Sequence, residues 1–294
     1  MVTDRLKSSG IGFSTDEPLS HHSTFSIGGV ADVAVFPSDI PELIQTIDIL
    51  SGTKFTVIGG GSNIVFPSDG YRGTVVFTKA LRNIVISENK ITAECGVMMP
   101  YLSSAAMNAG LSGLEFLCGI PGTIGGGVRM NAGSYGREIS DCIESCKYYD
   151  TEKKQICLSE KNDLGFSFRS SIFADASLVV LSTVFALTAD SQDEIRKKCD
   201  DILSKKRSSQ PYDMPSAGSV FKPIDGIPAW KLIDECKLRG YSVGGAKISE
   251  KHAGFIVNTG NATSDDVKKL TEIIKDKVFA LTGKIPEEEI IFLK

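Results

Sequence analysis

The sequence has no CxxC pair, no concentrated basic block, no Gly-Lys-Ser/Thr phosphate loop and no long apolar run. Each absence excludes something. A membrane helix needs roughly 18 or more consecutive apolar residues, and no stretch approaches that length, so no membrane span is expected. The first ten residues, MVTDRLKSSG, lack the basic-then-apolar pattern of an export signal. Without a block of Lys and Arg, and with a net charge of −4, there is nothing to grip a phosphate backbone, so nucleic acid is not expected as a partner. The seven cysteines are odd in number and scattered at 95, 118, 142, 146, 157, 199 and 236. That pattern argues against zinc or a disulfide framework and for a reducing cytoplasm, with no metal site expected. The nearest pair, Cys142 and Cys146, reads as two plain, partly buried thiols. The one Gly-Lys step, Gly283-Lys284, is followed by Ile285, and a dinucleotide fingerprint counted from Gly59 puts Ile64 where the third glycine belongs.

What the chain does have is glycine, 29 residues of it in 294, and the glycines are clustered. The length suggests about two domains at ~150 residues each. The first 80 residues alternate strand and helix: VADVAVFP (30–37), a helix over 41–50 with Leu43, Ile44, Ile47 and Leu50 on one face, then KFTVIGGG (54–61) and GTVVFT (73–78). NIVIS and ITAEC read as a hairpin around Glu88-Asn89-Lys90, followed by a helix over 99–109. Gly and Pro break up 111–136, which reads as a long functional loop system. Strands are predicted at 142–149, 154–158 and 178–187, and Ser191 with Glu194 caps a helix over 192–207. The polar stretch 208–219 marks a boundary, beyond which come a helix (228–237), a strand (253–258), a capped helix (264–282) and a last strand (288–293). The class is α+β, segmented as 1–80, 81–208 and 209–294, with no internal repeat.

Two glycine clusters carry the chemistry. GGGSN (59–63) follows a strand directly. A backbone without Cβ approaches a phosphate closely and turns its N–H groups toward the anion, while Ser62 and Asn63 add donors. A tight strand-to-loop turn is the plainer alternative. The second cluster, GIPGTIGGGVRMNAGSYG (119–136), holds seven glycines in eighteen residues. Core packing does not require that density, whereas threading a backbone around a diphosphate or an isoalloxazine ring does.

With HSTFSIGGVAD (22–32), VIGGGSNIV (57–65), the 119–136 cluster, SAGSVFK (216–222) and GGAKISEKHAGFIVNTGNATSDDV (244–267) in this order, the chain resembles the UDP-N-acetylenolpyruvoylglucosamine reductase family (MurB) over nearly its whole length. The resemblance implies an α+β fold, with a two-subdomain α/β flavin-binding region of the vanillyl-alcohol oxidase (PCMH) type, 1–80 and 81–208. A C-terminal substrate domain, 209–294, completes it. It implies noncovalent FAD, NADPH as co-substrate, a UDP-sugar enolpyruvyl ether as substrate, and a bacterial cytoplasmic enzyme, taken here as a monomer. Flavin contacts carry over to Ile58, Gly59, Gly60, Gly61, Ser62, Asn63, Gly119, Pro121, Gly122, Thr123, Gly125, Gly126, Asn131, Ala132 and Gly133.

The resemblance also carries three catalytic positions: Arg169 in GFSFRSS, Ser219 in SAGSVF and Glu289 in PEEEII, with Glu288 as a competitor for the last. The chemistry suits them. Hydride addition to a conjugated enol ether builds negative charge toward the substrate carboxylate, which a permanently charged, bidentate guanidinium stabilises. Ser219 would then protonate the carbon and Glu289 would support the enediolate or relay a proton. NADPH and sugar sharing one flavin face would give a ping-pong scheme. Lys206, Arg207, Gln210 and, beside the catalytic turn, Lys222 are candidates for the UDP diphosphate. An exposed basic helix end is the alternative for Lys206 and its neighbour Arg207. His21 and His22 are not expected to attach the flavin, and His252 reads as structural.

Some residues depart from the family pattern. Phe168 stands where tyrosine is common, Pro223 where many members carry Asn, and Gly127 where alanine is usual, a change a loop would accommodate. Only 49 residues separate Arg169 from Ser219, and Tyr212 is the one tyrosine among them. That spacing resembles the shorter branch of the family, which lacks a substrate-closing tyrosine loop. Two other readings stand beside the reductase: a flavin-dependent sugar oxidase of the same superfamily, which would not need NADPH, and a non-catalytic nucleotide-sugar binding protein, which would be colourless.

Overall fold

A computed structural model describes residues 2–294. The chain forms two compact units, each assembled from several segments: 1–15, 33–60 and 73–205 in the first, 16–32, 61–72 and 206–294 in the second. Among the described residues, no helix is long and apolar enough to cross a membrane.

The first unit begins its α/β part with the helix Ile40–Leu50. Asp39 caps it by accepting from the Glu42 N–H, and Pro41 sits in its first turn, where the missing N–H costs nothing. Leu43, Ile47 and Leu50 are fully buried, as the helical spacing requires. The next strand, Phe55–Ile58, runs parallel to Tyr71–Phe77, with Phe55 opposite Thr74 and Ile58 opposite Phe77. This pairing delivers residues 59 and 60 at the carboxyl end of a parallel strand.

A five-stranded antiparallel sheet forms the rest of the first unit, in the order Gln155–Glu160, Ile143–Asp150, Leu178–Ala186, Lys90–Glu94, Ile84–Ser87. The hairpin expected around Glu88 is there: Ser87 pairs with Lys90, and Glu88 takes a positive φ of 51° in the turn. The core of this unit runs through Ile91, Val97, Leu102, Ile124, Val128, Leu181 and Phe185.

The segment 111–136 is more ordered than its glycines predict. A short helix, Ile124–Arg129, lies inside it, with Ile124, Gly127 and Val128 buried. Three consecutive glycines disfavour a helix by roughly 1 kcal/mol each, so tertiary contacts must hold it. The Ile124 N–H donates to Val97 O and the Gly125 N–H to Cys95 O, both at 2.8 Å. Gly127 is therefore helical rather than in a loop, and a Cβ there would meet Ile139 Cδ1 and Met99 Sδ at 2.8 Å.

The second unit carries a four-stranded antiparallel sheet, Ser216–Ser219, Phe255–Asn258, Ala246–Ile248, Ser242–Val243. The helix Ser264–Thr282 begins with a reciprocal capping box between Thr263 and Asp266 and ends at Gly283 in the left-handed region. Its buried face, Val267, Leu270, Ile274 and Val278, packs in one core with Phe25, Val220, Phe221 and Ile233. The expected last strand over 288–293 is only Ile291–Phe292, which pairs in parallel with Ile64–Val65. Residues 287–289 bond instead to 220–222: Lys222 N–H to Glu287 O and Glu289 N–H to Val220 O, at 2.9 and 2.7 Å.

His252 lies in this unit beside Trp230 and edge-on to Phe255, and its Nδ1 accepts from the Gly254 N–H. Burial pushes its pKa below the usual value, with the Arg239 charge adding to the effect. A base whose folded pKa is depressed stabilises the protein above its unfolded pKa of about 6.5, and that stability is lost as pH falls below it. Stability measured by denaturant titration should therefore decline from pH 7 toward pH 5. His252→Gln should flatten that decline, and an unchanged slope in the variant would place the acid sensitivity elsewhere.

Candidate functional site

In the first unit the two glycine segments touch backbone to backbone. A Cβ on Gly59 would stand 2.0 Å from Thr123 Oγ1, and one on Gly60 would stand 2.6 Å from Gly122 Cα. Gly122 itself has φ +115°, a conformation L side chains rarely adopt. Thr123 Oγ1, at the seam of these segments, is buried and has no hydrogen-bond partner among the described residues. Leaving a buried hydroxyl unpaired costs about 1–3 kcal/mol, so such an atom points to a partner supplied by a ligand. A cradle with its Cβ atoms removed and an orphaned hydroxyl beside it fit the diphosphate and ring of a flavin nucleotide. Gly126 is different: it is exposed, and a Cβ there meets nothing closer than 3.8 Å.

Two variants separate these roles. Gly60→Ala forces a methyl group against backbone, at a cost of about 1–3 kcal/mol, so FAD affinity should fall tenfold or more as the seam opens. Gly126→Ala has room and gains about 1 kcal/mol of helix propensity, so its melting temperature should hold or rise. Loss of FAD affinity in Gly126→Ala, read by flavin fluorescence, would then report a ligand contact. Unchanged affinity in both variants would remove this seam from the flavin site.

Asn131 and Gly133 hold Arg169. Asn131 is buried with φ +42°, its side chain donating to Glu138 and Ser167 O and accepting from the Ser140 N–H. Its side chain is thus fully engaged within the chain. Arg169 Nη1 reaches Asn131 O at 3.5 Å, Nη2 reaches Gly133 O at 3.3 Å, and Glu138 is 3.7 Å away. These contacts are long for a charged donor, whose bonds to carboxylate close to about 2.8 Å. The side chain is 17% exposed, and its guanidinium lies over the Phe168 ring, 4.7 Å from its centroid. The ring that replaces the common tyrosine therefore keeps the stacking and lacks only the hydroxyl.

Arg169 also sits at φ +55° in a tight turn where Ser167 and Ser170 exchange both backbone hydrogen bonds. A left-handed non-glycine residue persists only where its surroundings over-determine it. Here Arg129 does so by donating to Phe173 O, while Ser171 Oγ donates to Arg129 O at 2.9 Å. Arg129 and Ser171 were not legible as site residues in the sequence, because nothing in the local pattern links 129 to 171–173.

The second unit holds the other two positions that the family resemblance marks, Ser219 and Glu289. Ser219 ends its strand opposite Phe255, after a register shift that Gly218 makes at φ +81°. Val220 bonds to Gly254 on one side and to Glu289 on the other, which brings the Ser219 turn beside the glutamates. Of those, Glu288 pairs with Lys275 at 2.8 Å and Glu287 with Lys222. Gly61 belongs to this unit; a Cβ there would stand 1.9 Å from His22 O. Asn63 Nδ2 donates to Glu289 O at 3.0 Å and its carbonyl accepts from Ile291, so Asn63 tethers the Glu289 segment. His22 Nε2 contacts Glu17 at 2.8 Å.

Lys206 differs from the basic helix end foreseen as an alternative: it is 4% exposed, while Arg207 is exposed. A lysine that deep is held by specific partners. The Gln210 N–H bonds to Lys206 O at 2.8 Å, continuing the helical pattern to the boundary.

Comparison with known proteins adds to this geometry. Residues 210–293 match the model described as UDP-N-acetylenolpyruvoylglucosamine reductase, C-terminal domain, and residues 31–156 match that of an FAD binding domain. The UDP-N-acetylenolpyruvoylglucosamine reductase of Caldanaerobacter subterraneus subsp. tengcongensis is 42% identical over 94% of this chain and 92% of its own. That of Caldicellulosiruptor bescii is 40% identical over 98% and 93%. The crystal structure of UDP-N-acetylenolpyruvylglucosamine reductase (MurB) from Thermus caldophilus superimposes with a TM-score of 0.83 at 28% identity, covering 97% of this chain and 99% of that one.

Proposed function

This chain belongs to the UDP-N-acetylenolpyruvoylglucosamine reductase family, and from that premise we propose which of its own residues carry each part of the reaction. It reduces UDP-N-acetylglucosamine enolpyruvate to UDP-N-acetylmuramate with FAD and NADPH, a step in peptidoglycan precursor synthesis. FAD, held at the glycine seam, would supply the hydride-transfer chemistry of the reduction.

The observation that carries the cofactor assignment is the seam of facing glycines with the unpartnered Thr123 hydroxyl. Gly59 and Gly60 face Gly122 and Thr123 across it, and we assign Ile58, Gly61, Ser62, Asn63, Gly119, Pro121, Gly125, Gly126, Asn131, Ala132 and Gly133 to the flavin from the family resemblance.

Arg169 takes the substrate carboxylate with both arms of its guanidinium and stabilises the charge that develops there. Ser219 donates the proton that completes the new C–H bond. A serine hydroxyl is a weak acid, so its placement at the reacting carbon matters more than its pKa. Glu289 sustains the enediolate or relays the proton. Lys206, Gln210 and Lys222 take the diphosphate, Lys222 exchanging Glu287 for phosphate oxygens.

We place the enzyme in the bacterial cytoplasm as a monomer; its seven free thiols suit a reducing compartment. Light scattering at 31.6 kDa supports the monomer, and twice that mass overturns it. The assignment as a whole is tested by purifying the protein, recording absorbance near ~450 nm and adding NADPH without oxygen. Loss of the band supports it, and a colourless protein favours a nucleotide-sugar binder.

A further inference from the structure

The sequence marks Asn63 as a donor to a phosphate, and the structure commits its side chain elsewhere. Asn63 and Glu289 belong to the same unit although 226 residues separate them. Asn63 Nδ2 donates to Glu289 O at 3.0 Å, and the Asn63 carbonyl accepts from the Ile291 N–H at 2.9 Å. One residue thus holds the chain on both sides of Ile290, which is buried in the core of the unit. The hold continues where Ile64 and Val65 pair in parallel with Ile291 and Phe292.

The other side of Glu289 is fixed as well. Its N–H donates to Val220 O at 2.7 Å, one residue beyond Ser219, and Phe221 forms an antiparallel bridge with Glu288. Both main-chain groups of Glu289 are therefore bonded, one to the segment that follows Ser219 and one to Asn63. The two preceding carboxylates are engaged by lysines, Glu288 by Lys275 at 2.8 Å and Glu287 by Lys222. Of the two bonds to the Glu289 main chain, only that from Asn63 is made by a side chain. The group that faces a carbonyl must be a donor. Asparagine supplies one, and an ionised aspartate of the same shape does not.

We propose that Asn63 is a positioning residue, its side-chain amide setting the place of Glu289 relative to the Ser219 turn. A contact from this residue to a flavin phosphate is then left to its main-chain N–H. The inference rests on the role given to Glu289 above, in the sugar half-reaction. A misplacement of about 1 Å can slow a reaction ~10²-fold, so a carboxylate at work there tolerates little drift. Loss of the amide should therefore slow the sugar half-reaction and spare the NADPH half-reaction and the affinity for FAD.

The test follows the two half-reactions separately by stopped flow in FAD-loaded Asn63→Ala, Asn63→Asp, Glu289→Gln and the combined Asn63→Ala/Glu289→Gln variant. Asn63→Ala should bind FAD as the natural protein does and be bleached by NADPH at the natural rate, while the sugar restores its colour about tenfold or more slowly. Asn63→Asp keeps the volume and loses the donor, so it should be no faster than Asn63→Ala. The combined variant should be no slower than Glu289→Gln, because an amide that acts only through the carboxylate has nothing further to remove. Weakened FAD binding or slowed bleaching in Asn63→Ala would make the amide a flavin donor and overturn the proposal. Losses that multiply in the combined variant, or equal slowing of both half-reactions by the two Asn63 variants, would overturn it too. A natural sugar rate in Asn63→Ala beside a slow Glu289→Gln would end the positioning role alone. A natural rate in Glu289→Gln would end the assignment of Glu289 and the positioning role with it.

Discussion

Ser219→Ala is expected to let NADPH bleach the bound flavin at the natural rate while the enolpyruvyl sugar restores its colour ~10²-fold or more slowly, the usual loss when a positioned proton donor is removed. The split follows from where Ser219 sits. It belongs to the second unit, at the end of a strand anchored by Phe255 and continued by the Val220 bonds to Gly254 and Glu289. The glycine seam lies in the first unit and owes nothing to the Ser219 hydroxyl. Removing one oxygen leaves those backbone bonds in place, so the fold and the flavin should be retained. Ser219→Cys, which keeps a proton donor, should recover part of the lost rate. Equal slowing of both half-reactions would make Ser219 a structural residue, and natural turnover in Ser219→Ala would end its assignment as the acid.

Arg169→Lys should be nearly as damaging as Arg169→Ala, with kcat/KM for the sugar lowered by about 10²–10³-fold, in line with losing one preorganised group that stabilises developing charge. Lysine keeps the charge and loses the fork. The guanidinium now bridges Asn131 O and Gly133 O while stacking on Phe168, a planar arrangement an ammonium does not reproduce. The loss should fall on the sugar half-reaction and spare NADPH oxidation. A lysine variant with unchanged kcat/KM would contradict bidentate capture of the carboxylate. Supporting residues give a second check: Arg129→Met removes the donor to Phe173 O that braces the left-handed turn, so it should mimic a milder Arg169 defect without touching substrate.

Much of this architecture was readable because local signals agreed with tertiary structure. The helix Ile40–Leu50 had a cap, a first-turn proline and a single apolar face, and Ser264–Thr282 had Thr263 before it and Gly283 after it. The hairpin at Glu88 had alternation on both sides of a polar turn. Where local propensity and packing disagreed, the sequence misled. Ile124–Arg129 is helical against its three glycines because Cys95 and Val97 carbonyls hold it. The last strand is short because residues 287–289 bond to 220–222 instead.

The site shows the same division. The residues proposed for the chemistry stood in motifs, but the contacts that hold them did not. Arg129, Ser171 and Glu138 act through contacts 7 to 44 residues apart that no spacing rule predicts. The burial of Lys206 was legible in part. It falls on the helical face of Ile195 and Cys199, at steps of four and seven, yet the surrounding run of charges read as a solvated end.

The central claim is that this chain, with FAD and NADPH, reduces an enolpyruvyl sugar. The most direct measurement is one anaerobic cycle followed at ~450 nm: one equivalent of NADPH, then one of UDP-N-acetylglucosamine enolpyruvate. The account predicts full bleaching, then full return of colour with one equivalent of UDP-N-acetylmuramate formed. Colour that returns only when oxygen is admitted, with the sugar unchanged, would contradict it and identify an oxidase.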